Sequence, residues 1–111
     1  MALTKALLRA ARLLDLPNSA LARALGVSNA SIYRLGAGTR TIDPDSKEGE
    51  FALLLIRIYH SLDRLVGTDA DQRKAWVHGY NRALNGRPAE LIERVGGLVS
   101  VLNYVEAMAE A

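Results

Sequence analysis

Apolar residues recur along this chain at intervals of three and four, and almost nowhere in alternation. That spacing predicts helices and no strand of useful length. Leu3, Leu7, Leu8, Ala11 and Leu14 mark one face of a first helix. Pro17 and Asn18 close that element and open another. Asn18 or Ser19 is placed to cap a short helix that reaches Leu25. Gly26 follows, and glycine takes a positive φ at a helix C-terminus without strain. Ser28 then caps a third short helix to about Leu35. The stretch from Gly36 to Asp45, with Gly36, Gly38 and Pro44, reads as irregular chain and as a hinge between two halves. A long helix is predicted from Ser46 to Val66, its stripe being Phe51, Leu54, Leu55, Ile58, Leu62 and Leu65. Gly67 and Thr68 break it. Asp69 to His78 forms another helix, with acidic residues in the first turn, where they suit the dipole. Asn81 to Arg87 is a connector whose strongest turn signal is Asn85-Gly86. Pro88 opens a short helix to about Arg94, and Gly96-Gly97 precede a last helix to the C-terminus.

Residues 18–37 fit a bihelical unit. Leu21 and Leu25 belong to the inner face of its first helix, and Ala22 permits close approach where the helices cross. Gly26 occupies the turn, Val27 plugs it, and Ile32 with Leu35 forms the inner face of the second helix. The unit resembles the helix-turn-helix of phage-repressor type regulators, whose second helix enters the DNA major groove. The outward residues of that helix are then Ser28, Asn29, Ser31, Tyr33 and Arg34. Asn pairs with adenine, Arg with guanine or phosphate, and Ser and Tyr commonly hold phosphates. An ordinary αα corner has the same internal packing needs. The expected fold class is therefore all-α, with an N-terminal helix-turn-helix and linker in residues 1–45 and a smaller helical domain in residues 46–111.

Charge favours the DNA reading. The 111 residues carry a net +2, which divides unevenly. Residues 1–40 hold six basic residues (Lys5, Arg9, Arg12, Arg23, Arg34 and Arg40) against Asp15, a net +5. Residues 41–111 hold eight basic against eleven acidic, a net −3. Two surfaces and two partners are implied, and the basic one supplies electrostatic footing on phosphate. With no cysteine, disulfides, thiolate zinc sites and a thiol nucleophile are excluded. His60 and His78 are too few for most metal sites and have no catalytic neighbourhood, so neither metal nor cofactor is expected. Asp43 and Asp45 flank Pro44 as turn formers, and Gly36-Ala37-Gly38 is not a phosphate loop, since no strand precedes it. No run is long enough to cross a membrane and no leader is recognised, so a reducing cytoplasm is the expected location.

In the C-terminal half Trp76, Asn81, Leu84, Gly86, Pro88, Leu91 and Ile92 form the series W-x4-N-x2-L-x-G-x-P-x2-L-I, followed by Gly97, Val101 and Leu102. Trp76 reads as a core anchor, Asn81 as a turn former, and Gly86 with Pro88 as the device that aims the chain into a helix. This series, after a repressor-like unit, resembles the Xre/MbcA/ParS-type antitoxins from about Asn18 to Met108. Three positions depart from the pattern. His78-Gly79-Tyr80 precede Asn81 where a Pro often stands, Arg87 replaces a small hydroxyl residue or lysine, and the terminal Gly of many members is absent.

The resemblance implies a C-terminal domain that binds and blocks a RES-domain toxin, an enzyme that degrades NAD. It also implies an N-terminal domain that binds the operon's own promoter, and no catalysis by this chain. Asn103, Glu106 and Glu110 lie on the outer side of the last helix, and the acidic, small-residue segment that includes Glu106, Met108, Glu110 and Ala111 is expected to enter a basic, pyrophosphate-accepting pocket. A homodimer is expected as well. A short recognition helix gains specificity from two half-sites, and Leu53 and Ile56 lie beside the main stripe of the long helix. A stand-alone repressor with a dimerising C-terminal half is the competing reading, and a small helical enzyme a third.

Overall fold

The computed structural model describes residues 2–111; Met1, where the expected N-terminal unit begins, lies outside them. Among the described residues there are seven helices: α1 (Ala2–Leu13), α2 (Asn18–Leu25), α3 (Asn29–Ala37), α4 (Lys47–Val66), α5 (Ala70–His78), α6 (Pro88–Leu91) and α7 (Val95–Glu110). The order follows the apolar spacing. The boundaries follow local capping chemistry.

The first three helices end in the same way. In α1 the Leu16 amide donates to the Ala11 carbonyl and the Asp15 amide to that of Arg12. The same double bond closes α2 at Gly26 and α3 at Gly38. Each closure needs a left-handed residue to turn the chain. Gly26 has φ 72°, and Asp15 takes this conformation with a side chain, at φ 57°. Ser28, Ser46 and Asp69 cap α3, α4 and α5 by accepting hydrogen bonds from backbone amides two or three residues ahead. The expected cap of α2 is different. Pro17 occupies the N-cap without a side-chain bond, and Asn18 is the first helical residue.

The stretch after α3 is not a hinge. The Ile42 side chain is fully buried, and its amide donates to Thr4 Oγ1 on α1 at 2.9 Å. Arg40 Nη2 meets both Glu48 oxygens at 2.9 Å, which pins the segment to α4. Asp43 accepts from the Asp45 amide, the local turn bond that makes these aspartates turn formers.

Helix α4 packs most extensively against α7, and next against α1. Its buried line is Gly49, Ala52, Leu55, Ile58, Ser61 and Leu62, rotated from the predicted stripe so that Phe51, Leu54 and Leu65 are only half-buried. Leu7, Ala11 and Leu14 from the first half and Leu98, Val101, Leu102 and Val105 from α7 share one core with it. The Gly96-Gly97 pair lies inside the first turn of α7 rather than before it. The reason is a close approach, since a Cβ on Gly97 would lie 2.0 Å from the Leu91 carbonyl oxygen, while one on Gly96 would meet nothing. Gly97→Ala is therefore expected to cost about 1–3 kcal/mol by overpacking. Gly96→Ala is expected to gain roughly 0.5–1 kcal/mol from helix propensity. Urea unfolding midpoints of the two variants, moving in opposite directions from wild type, check both.

Candidate functional site

The bihelical unit closes as its sequence requires. Leu21, Ala22, Leu25, Ile32 and Leu35 are buried, and half-buried Val27 packs against them from the turn. Ser28 accepts from the Ser31 amide at 3.1 Å, so α3 starts at a fixed point and its faces are set. Asn29, Tyr33 and Arg34 face outward with Ser28, and Tyr33 is 72% exposed. Ser31 does not. It is 8% exposed, and its hydroxyl accepts from Ser28 Oγ at 3.1 Å and from Arg34 Nη2 at 3.3 Å. The expectation that Ser31 points outward is corrected, because position three of the helix lies over the turn that Ser28 caps. Ser31 instead steadies Arg34. Ala30 takes its place on the outer face, three residues before Tyr33.

The basic residues divide by occupation. Arg23 on α2 is bonded to Glu93, and that bond, more than the charge itself, holds the guanidinium above its ordinary pKa range. Arg40 is taken by Glu48. Among the described residues Lys5, Arg9, Arg12 and Arg34 are exposed and have no carboxylate partner. Leu8 lines a cleft of about 350 Å³ with Asn18, Tyr33 and Gly36. Lys5 and Arg12 flank Leu8 at helical spacings of three and four, so both cations border the face that carries Tyr33.

In the C-terminal half the spaced motif builds a loop. The Asn81 and Gly86 backbones pair as an antiparallel bridge, at 2.8 and 3.2 Å. Asn81 Oδ1 accepts from the Leu84 amide at 3.1 Å, and Asn85 turns the chain at φ 55°. A Cβ on Gly86 would lie 3.1 Å from the Leu91 side chain, tighter than an ordinary contact. Trp76 is half-buried against the core, an anchor as expected. These motif residues are scaffold. What they present is the outer side of α7, where Asn103, Met108, Glu110 and Ala111 are exposed. Glu106 is not free as expected. Arg57 on α4 engages it through Nε and Nη2 at 3.1 and 2.9 Å, because α4 and α7 run side by side at that point.

Family models account for both halves. Residues 1–57 match the antitoxin Xre-like helix-turn-helix domain, and residues 61–110 match the antitoxin Xre/MbcA/ParS C-terminal toxin-binding domain. The chain belongs to the Xre/MbcA/ParS antitoxin family. A search of curated proteins returns no match. The two models meet inside α4, the helix that packs against both α1 and α7.

The antitoxin's halves are also fastened at the end of α1. Arg73 on α5 is 7% exposed, and its Nε donates to the Leu13 carbonyl at 2.6 Å. His78 Nε2 lies 3.0 Å from the Asp15 carbonyl, and Lys74 pairs with the Asp15 carboxylate at 3.6 Å. Nothing in the spacing of residues 70–78 signalled the buried arginine; its partner is a carbonyl sixty residues away. Among the described residues no cluster of three His, Cys, Asp or Glu side chains could hold a metal, and no helix is long and apolar enough to cross a membrane. Loss of the α3 cap should be measurable alone. Ser28→Ala is expected to lower stability by about 1 kcal/mol, and Ser28→Thr to retain most of it, in chemical denaturation.

Proposed function

We propose that this antitoxin neutralises a RES-domain toxin that degrades NAD, and that it binds its own promoter as an autoregulator. The observation that carries the reading is the pairing of a helix-turn-helix family domain with a toxin-binding family domain in one chain. Residues 1–45 supply the DNA-reading unit and residues 46–111 the assembly and toxin contacts. On DNA, Asn29, Tyr33 and Arg34 reach the major groove while Ser28 meets phosphate and Ser31 orients Arg34. Lys5 and Arg12 border that face and add phosphate contacts, which position the helix without reading sequence. One chain measures 39 × 26 × 23 Å and offers one recognition helix. Half-sites spaced by one DNA turn, roughly 34 Å, are read by two copies, which favours a homodimer within the larger complex.

Toward the toxin, the acidic and small end of α7 enters a pocket built for pyrophosphate, with Asn103, Met108, Glu110 and Ala111 in contact and Glu106 acting through Arg57. The antitoxin blocks chemistry by occupying space and charge and performs none itself. DNA and NAD place both activities in the cytoplasm.

Co-purification with a RES-domain protein encoded beside it tests the reading as a whole; a neighbouring toxin of another class overturns it. Two variants test its halves. Arg34→Ala is expected to weaken promoter binding and to lower the salt slope by about one unit in gel shifts at several ionic strengths. Glu110→Lys combined with Met108→Glu is expected to leave the complex assembled while restoring NAD consumption by the toxin. Full silence from that variant places inhibition elsewhere in the domain.

A further inference from the structure

A groove of about 460 Å³ runs between the first turns of α4 and α7, and neither the DNA face nor the toxin-facing end of α7 uses it. Leu54, Val95 and Val99 line it, and Leu53 stands at its rim. Leu53, Val95 and Val99 are 46, 57 and 40% exposed. Ile56, expected to share this surface, is instead half-buried against the core. We infer that this face is a two-fold interface between two copies of this chain, with α4 packed antiparallel on α4. The inference deepens the dimer proposed above and rests on that reading.

A two-fold interface is one surface applied to itself, so it must carry both members of every pair it makes. This face does. Glu50 and Arg57 stand seven residues apart on α4, which is two turns, so they share one stripe. Leu53 and Leu54 lie midway between them. An axis crossing α4 between Leu53 and Leu54 leaves Glu50 and Arg57 at equal distances on either side, roughly 5 Å along the helix at 1.5 Å per residue. Glu50 of each copy then faces Arg57 of the other. The apolar members match in the same way: each chain offers a protruding Leu53 and an open groove beside Leu54, Val95 and Val99.

Arg57 is already aimed. Glu106 takes its Nε and Nη2, which leaves Nη1 for a second carboxylate. Glu50 is held only by Lys47, at 3.4 Å and largely exposed. The mixed signs of Lys47, Glu50 and Arg57 match neither a nucleic acid nor a basic pocket, both of which ask for one sign. They match a copy of themselves.

Light scattering and sedimentation on the full-length chain test this, with circular dichroism confirming that each variant is helical. Wild type is expected to be dimeric at micromolar concentration and Leu53→Asp monomeric. Glu50→Arg alone and Arg57→Glu alone are expected to be monomeric, because each sets like charges face to face at both ends. An equimolar mixture of those two variants is expected to regain the dimer. One copy then carries arginine at both positions and the other glutamate at both, so opposite charges meet at each end of the axis. A monomeric wild type overturns both this interface and the dimer it rests on, and loss of toxin capture by Leu53→Asp would then give the groove to the toxin. A wild-type dimer that survives Leu53→Asp and the charge changes keeps the dimer and overturns this face. A mixture that stays monomeric overturns the antiparallel register.

Discussion

The burial of α4 against α1 and α7 is the constraint on which the rest of the antitoxin depends. Leu55, Ile58 and Leu62 are each under 4% exposed. Burying side chains of that size contributes about 1.5–3 kcal/mol apiece. The net stability of a domain is about 5–15 kcal/mol, so no part of the chain is independent of this helix. Both family models reach into α4, and the reason is physical: neither half can cover its apolar face without it. The DNA-reading unit and the toxin-binding unit are therefore held at one fixed geometry by a shared core and not by a linker.

The polar contacts add direction more than energy. Exposed ion pairs are worth about 0–1 kcal/mol each. Arg57–Glu106 and Arg23–Glu93 fall in that class by exposure, and their importance lies in which cations they remove from the surface. Arg73 differs, being buried, and its bond to the Leu13 carbonyl satisfies a helix end that α5 covers. Removing it would leave a buried carbonyl without a donor, a larger penalty than the loss of a surface pair. The join between α1 and α5 is thus a specific contact as well as an apolar one.

Occupation also reshapes the electrostatics. The first forty residues carry a net +5, but Arg23 and Arg40 are answered by glutamates from the other side of the sequence. What is left is narrower and better aimed: Lys5 and Arg12 beside the cleft below Tyr33, with Arg34 on α3 itself. The toxin-facing half changes in the opposite sense. With Glu106 committed to Arg57, the acidic character of the end of α7 rests on Glu110.

The sequence by itself determined the elements and the class. Helical spacing, Gly26 at the turn, Ser28 and Asp69 at helix starts, Asn85-Gly86 and Pro88 are local signals, and each acts within one or two turns of chain. The motif from Trp76 to Ile92 was legible for the same reason, since its bonds close within a few residues. Other features were decided only by tertiary structure. The predicted hinge became a pinned segment because Thr4, thirty-eight residues earlier, accepts from Ile42. Ser31 turned inward because the cap it serves lies beneath it, a matter of helix phase that an outward-face reading misplaced by one position. Ile56 sank against the core and Glu106 was drawn to Arg57 because α7 packs along α4. Spacing along a chain fixes which residues share a helix face; which neighbour that face meets depends on contacts that close only when distant segments share one core.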